Sequence, residues 1–505
     1  MRLFLLIALL VALPAHAAGA PPKFAGVFTD HAVLQRDRPI PVWGTAAPGE
    51  PVVVSFAGQH VQGVADNTGR WSVKLAPLAA STTGRPLIVS GQSNRGARIE
   101  DVLVGEVWLC SGQSNMAFRL AKAAGVAEEI AAADDSLVRF FSVEEQFELR
   151  DNAPDVKGRW TPVSPKTAAQ CSAVAYYFGR DLRKALGDVP VGLLVSSVGG
   201  TRIETWMRPE LLAADPANAA LIAKWKDVSP EQFEKVVADY RAFQRARDVE
   251  HPAEVAKAKS ANRPPPPAPT APTLRGHDCP SALHRGMIAP LVPYAIRGAC
   301  WYQGESNSGA PERYEKLQPA MIADWRALWA DDKLPFLFVQ LPSYKRTRPD
   351  FRQAQARIAR RVPSTAMVVT LDVGDANDIH PTNKRPVGQR LALAARAVAY
   401  GEKVSHTGPT FAGMTADGGR ATLTFANTGG GLVARGDEVK GFEVAGPDGK
   451  FVPASAKVDG DTVTVTAAGA ARITAVRYGW ATVPDGNLFG KDGLPAGPFR
   501  TDEGK

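Results

Sequence analysis

Near-continuous apolar runs recur through the middle of the chain: VLVGEVWLC (102–110), VGLLVSSVGG (191–200), YAIRGACWYQG (294–304), PFLFVQLPS (335–343) and TAMVVTLDVGD (365–375). They alternate with segments of helical period, as in SAVAYYFGRDLRKAL (172–186) and PERYEKLQPAMIADWRALW (311–329). Continuous apolar strands between helices predict a parallel sheet covered on both faces. Ahead of residue 101 the pattern is different. PIPVWGTAAPGEPVVVSF, HVQGVADNTGRWSVKL and PLIVSG are short β-favouring runs cut by Pro-Gly and Asn-Thr-Gly turns, which predict a small β-sandwich. β texture returns over 405–505.

The expected organisation is therefore a β domain over 21–100, an α/β domain over 101–404 and a second β domain over 405–505. Within the middle domain, residues 208–280 break the alternation. A polar helix-prone stretch (EQFEKVVADYRAFQRARD) leads into RPPPPAPTAPT, an exposed, semi-rigid strap. Residues 1–20 combine one positive charge, an apolar stretch and Ala15-His16-Ala17. They read as a signal peptide, with a secreted or periplasmic location expected.

Composition narrows the function classes. With 505 residues, 45% apolar and 22% charged, the chain is a folded multidomain protein. Without residues 1–20 it carries 58 basic against 51 acidic side chains, spread thinly and never condensed into a basic run with interleaved aromatics. Nucleic-acid binding is disfavoured, and no later stretch suits a membrane. Cys110, Cys171, Cys279 and Cys300 lack CxxC spacing. One or two disulfides are open, while Cys110 and Cys300 sit in apolar contexts suited to buried thiols.

The strand ends carry the candidate chemistry, because an open parallel sheet gathers its loops at the carboxyl ends of its strands. There stand Ser111-Gly112-Gln113-Ser114-Asn115, Val198-Gly199-Gly200-Thr201, Gln303-Gly304-Glu305-Ser306-Asn307, Gln340 with Ser343, and Asp375 to Pro381. Ordinary turn chemistry favours the same residue types. Ser114 is a candidate nucleophile whose own N–H, at a helix start, faces a developing negative charge. A capping or merely hydrogen-bonded serine is the alternative, and Ser111 is a candidate cap.

Of seven histidines beyond residue 20, His380 alone follows a carboxylate by two positions at a strand end. In extended backbone, Asp378 would point the same way and reach Nδ1, leaving Nε2 for Ser114. A plain loop histidine is the competing reading. Backbone N–H groups of Ser114 and Gly200, with the Gln303 amide, are candidate oxyanion donors. Glu305 is either an assisting carboxylate or a structural anchor. Metal and cofactor are not expected, since no ligand set forms at a standard spacing.

GQSNM, GGTRIETW, WYQGESN and DANDIHP resemble, in that order, the blocks of sialate O-acetylesterases within the SGNH-hydrolase superfamily. HAVLQRDRPIPVWGTAAPGEPV and LHRGMIAPLVPYAIRGACWYQGESN extend the resemblance over most of 22–400. It implies a flavodoxin-like SGNH core and metal-independent hydrolysis of sugar acetyl esters. It also implies Ser114 as nucleophile, His380 as base with Asp378, and Gly200 and Gln303 as oxyanion contributors. Two departures stand out: Glu305-Ser306-Asn307 follows Gly304 where the superfamily has Gly-x-Asn-Asp, and Asn377 holds the place of its usual last-block aspartate.

The expected activity is an exported serine esterase acting on O-acetylated carbohydrate, sialic acid foremost, with acetylated xylan or another plant polysaccharide as alternative. A non-catalytic carbohydrate-binding protein is the rival class. A lipase is disfavoured, as no apolar lid-like segment flanks the blocks. Gln113, Asn115, Arg202, Trp206, Tyr302 and Asn307 are the expected substrate contacts. Arg202 can equally tie down a loop, and core packing is the commoner role of Trp206 and Tyr302.

Overall fold

One strand, Gly96–Gly112, organises the molecule. In the computed structural model, which describes residues 21–92, 95–151, 155–467 and 472–502, its first half pairs with Ser81–Ser90 and Val33–Gln35. Its second half, buried at every position from Val102 to Gly112, runs through the centre of an α/β sheet. The strand thus passes without a break through residue 101, where the sequence texture changes. The expected signal peptide over 1–20 lies outside the described residues.

The α/β sheet has the order Trp160–Val163, Asp135–Ser142, Val191–Ser197, Gly96–Gly112, Gly298–Tyr302, Phe336–Val339 and Thr365–Val368. All neighbours are parallel except the edge strand Trp160–Val163, so the sheet is mixed. Gly298–Tyr302 and Phe336–Val339 are buried residue after residue, as expected of strands covered on both faces. The cover comes from helices packed in pairs: Ala173–Leu186 with Arg385–Tyr400, and Pro311–Leu328 with Pro349–Arg361. After Gly96–Gly112 the chain turns to one side and later returns to the other. The crevice at the end of this strand is the switch point where α/β sheets bind ligands.

Other β regions flank this sheet. Before it, Lys23–Phe24, Ile40–Thr45 and Arg70–Leu75 form a three-stranded sheet over the strands joined to Gly96–Gly112. After it, two four-stranded sheets and the pair Leu432–Ala434 with Leu488–Gly490 enclose a separate core that includes Leu423, Val444, Val465, Val476 and Tyr478. The carboxylate of Glu106, with no exposed surface, accepts from Gln35, Arg36 and Arg297 and so ties the first β region to the sheet.

No disulfide forms: all four cysteines are free and buried. Cys110 and Cys300 face each other on neighbouring strands, and burial raises the Cys300 thiol far above the ordinary thiol range. The 208–280 segment carries helix as well as strap. Its proline run is largely exposed and lacks regular structure, but Pro230–Arg245 and the residues near 279 bury a cluster of Trp225, Phe233, Cys279 and Ala282. Among the described residues, no helix is long and apolar enough to cross a membrane, and no cluster of acidic, His or Cys side chains suits a metal.

Candidate active site

Gly112 ends the central strand with φ of +135°, and a Cβ there would lie 2.1 Å from the carbonyl oxygen of Tyr302. Only glycine allows this approach, and it lets Gln113 continue the ladder to Tyr302 before the chain turns into the short helix Ser114–Ala117. Gln113, not Ser111, occupies the position before the helix. The Ser111 hydroxyl is buried in the strand without a hydrogen-bond partner. Ser114 therefore begins the helix, half-buried, with its N–H among those lacking a partner within the helix.

The nucleophile and base candidates meet: Oγ of Ser114 and Nε2 of His380 are 2.8 Å apart, although 266 residues separate them. Their hydrogen bond is the geometry by which an imidazole takes a hydroxyl proton. Gly199 packs against the same serine, since a Cβ on it would sit 3.3 Å from Cβ of Ser114. Gly200 follows with φ of +74°, a left-handed conformation that costs other residues energy.

Against this geometry the comparisons are decisive. The family model described as "Carbohydrate esterase, sialic acid-specific acetylesterase" matches residues 104–245 and 282–397, more than half the chain. The chain belongs to this family of carbohydrate esterases. It is similar to the sialate O-acetylesterases of Mus musculus, at 30% identity over 95% of this chain and 93% of the relative, and of Homo sapiens, at 29% over 93% and 89%. Among solved structures, a carbohydrate acetylesterase from Xanthomonas citri matches at 36% identity and a TM-score of 0.80, covering 96% of this chain and all of that one. The protein is a carboxylic ester hydrolase, a carbohydrate O-acetylesterase.

Around the Ser114–His380 pair, this esterase departs from several expectations. Residues 374–384 bend instead of running extended, so the alternation that would aim Asp378 at the imidazole does not hold. The Asp378 carboxylate accepts the backbone N–H of His380 at 2.8 Å, an Asx turn, and stands 3.8 Å from Nδ1. Asp375 makes a similar turn with the N–H groups of Asn377 and Asp378, which hold its carboxyl below the usual range.

Gln303 is not a free oxyanion donor. It is fully buried, and its amide donates to the Thr201 carbonyl at 3.1 Å and to Oδ1 of Asn307 at 2.7 Å. Asn307, expected at the substrate, also accepts from the N–H of Ile203 and donates to Glu204, whose carboxylate in turn holds Arg313. These residues brace the Gly199–Gly200 turn from behind.

The expected sugar-facing aromatics are core residues. Trp206 has no exposed surface, packs edge-on against Trp301 and donates to Thr201. Tyr302 is equally buried. Gln113 is 2% exposed and turns its carbonyl toward the N–H of Ser306. Arg202 keeps substantial exposure but is paired with Asp278 at 3.4 Å, the loop-tying alternative.

Asn115 and Glu305 lie behind the pair. Asn115, fully buried, donates to Oε1 of Glu305 and, at 3.0 Å, to the carbonyl of Ile379. Its oxygen accepts from Lys384, which the sequence did not single out. Lys384 is 1% exposed, and its ammonium lies 5.0 Å from the Phe118 ring and 5.4 Å from the Tyr302 ring. Burial pulls its pKa down to about 7 against the opposing pull of Glu305 and Asp378, and burial raises the Glu305 carboxyl.

Two further side chains unmarked by sequence come from the 208–280 segment. His277 and Tyr240 lie beside Gly200, with the His277 ring stacked on Phe147 and edge-on to Tyr240. Burial, then the charges of Arg241, Arg275 and Arg247, lowers the His277 pKa to about 3, so its ring is neutral at neutral pH.

Proposed function

We propose that the esterase removes O-acetyl groups from sialic acid, with Ser114 as nucleophile and His380 as general base. The observation that carries the assignment of roles is the 2.8 Å contact between Ser114 Oγ and His380 Nε2 at the switch point of the sheet. Oγ attacks the acetyl carbonyl and its proton passes to Nε2. The tetrahedral oxyanion is held by the N–H groups of Ser114 and Gly200, and collapse expels the sugar hydroxyl with the proton from His380. Water, deprotonated at the same nitrogen, then attacks the acetyl-serine. Acetate leaves and the Ser114 hydroxyl regains its proton.

The strand order, with neighbours added first to one side of Gly96–Gly112 and then to the other, supports a flavodoxin-like SGNH-hydrolase core. Sialate is favoured over plant polysaccharide by the names of the relatives matched along nearly the whole chain. The test is acetate release from O-acetylated sialic acid and from acetylated xylan at matched ester concentration, by wild type and Ser114→Ala. Faster release from the sialate is expected, with Ser114→Ala at background. Preference for xylan would sink the sialate reading, and wild-type turnover in Ser114→Ala would sink the assignment of the serine.

A further inference from the structure

We propose that Lys384 is a positioning residue of the esterase: with Asn115 and Glu305 it forms a buried polar chain that holds the His380 loop against the Ser114 turn. The inference rests on the roles of Ser114 and His380 given above, and adds what keeps them in register.

The argument lies in the donors and acceptors of one amide. Asn115 follows the nucleophile directly, and Ile379 directly precedes the base. The hydrogen bond from Nδ2 of Asn115 to the carbonyl of Ile379 therefore links the two loops one residue away from the reacting atoms. A carboxamide can bind either way round, so its orientation depends on its neighbours. Lys384, when protonated, offers only donors and faces Oδ1 of Asn115. Glu305, when ionised, offers only acceptors and takes one N–H of Nδ2. The second N–H is then directed to Ile379. Both N–H groups of the amide and one lone pair of its oxygen are used, and the orientation is dictated from both ends.

The surroundings make the arrangement rigid. Asn115 and Lys384 are almost wholly buried, and the ammonium is flanked by the rings of Phe118 and Tyr302. Lys384 immediately precedes the helix Arg385–Tyr400, whose buried face packs on Ala173–Leu186. These hydrogen bonds therefore anchor the polar segment after His380 to a packed helix. A carboxylate with one oxygen lacking a hydrogen-bond partner, as Oε2 of Glu305 does, is costly to bury without a countercharge. Lys384 supplies it through the bridging amide.

The test is the kinetics of a chromogenic acetyl ester with wild type, Lys384→Met, Glu305→Gln, the double variant and Ser114→Ala, alongside thermal unfolding of each. For Lys384→Met, kcat should fall roughly 10- to 100-fold with KM within about threefold, as displacement of a catalytic pair without loss of substrate contact requires. The double variant should lose less than the two single losses multiplied, because the unpaired buried charge is gone. An unchanged kcat in folded Lys384→Met, or a change confined to KM, overturns the proposal. Should Lys384→Met fail to fold, Glu305→Gln decides: reduced kcat at constant KM supports it, and wild-type kcat overturns it. Loss of activity in Ser114→Ala upholds the catalytic assignment whichever way Lys384 falls. Retention there defeats both.

Discussion

The Asp378 carboxylate accepts the backbone N–H of His380 at 2.8 Å while standing 3.8 Å from the Nδ1 of the same residue. It therefore shapes the loop first and acts on the imidazole by charge at ion-pair distance. Where an aspartate is buried and bonded to the ring, its asparagine variant loses about 10⁴ in kcat. Asp378 is 57% exposed and its turn can be kept by an asparagine oxygen, so Asp378→Asn should lose only roughly 10- to 100-fold, from the lost charge beside the imidazole. Steady-state kcat of this variant beside Ser114→Ala checks the point. Equal losses in the two would mean that the ring contact closes fully during turnover.

Gly200 offers a test of the oxyanion turn that spares the core. A Cβ there meets nothing nearer than 3.7 Å, so room is not the obstacle. Its φ of +74° is, at about 1–2 kcal/mol for a side-chain-bearing residue. Gly200→Ala should relieve that strain by turning the peptide and its N–H, lowering kcat by roughly 10²-fold, the usual effect of one lost oxyanion donor. Melting temperature should fall only slightly. A wild-type kcat would remove the Gly200 N–H from the mechanism.

Glu106 links the first β region to the α/β sheet, and its titration should register in stability. Burial pushes its carboxyl up, but the hydrogen bonds and charge of Arg297, with Arg36 and Gln35, outweigh burial and leave it below its ordinary value of 4.5. The stabilisation is then present in full above about 4.5 and is lost as pH falls through the lower folded-state value. Glu106→Gln should cost about 3 kcal/mol at pH 7 by leaving two guanidinium groups without their carboxylate. It should also flatten the decline in melting temperature between neutral and acid pH. Parallel declines in wild type and variant would show that other carboxylates carry it.

How far the sequence disclosed this molecule depends on where each residue's environment originates. The strands at 102–110, 191–197, 298–302 and 336–339 were legible because two-sided burial demands continuous apolar runs, a local signature. Asp135–Ser142 escaped notice because Arg139 interrupts its run. The guanidinium is nonetheless buried, donating to the carboxylate and carbonyl of Asp101. Ser114 and His380 were legible through loop chemistry at strand ends. Lys384 was not: in PTNKRP it looks like any solvated lysine, and the rings that flank it, Phe118 after a short helix and Tyr302 at a strand end, arrive from far away in the chain. Asp378 was legible as a neighbour of the imidazole but not as the acceptor of the His380 N–H, since a two-residue alternation was assumed where the backbone bends.

Arg352 should hold the last β region to the α/β domain. It lies on the helix Pro349–Arg361 without exposed surface, and donates to the carbonyls of Leu341, Pro342, Ala481 and Thr482 at 2.7–3.0 Å. Two of these acceptors follow the strand Phe336–Val339 and two follow Ala475–Tyr478 of the C-terminal β region, so one planar fork joins both. Burial lowers its pKa to about 10, which still leaves it charged at neutral pH. Lysine cannot reproduce a fork that serves four carbonyls, and methionine would leave all four without this donor in a dry setting. Arg352→Met should therefore destabilise by several kcal/mol, on the order of 1–3 for each buried carbonyl that finds no water. The loss should concentrate at the junction: protease should cut between the α/β domain and residues 405–505 in the variant under conditions where wild type stays intact. Esterase activity per folded molecule should change little, because Ser114, Asn115 and His380 are positioned by contacts that Arg352 does not make. Uniform loss of protection across the whole chain would mean that the C-terminal region unfolds together with the catalytic sheet, and that Arg352 is part of one cooperative core.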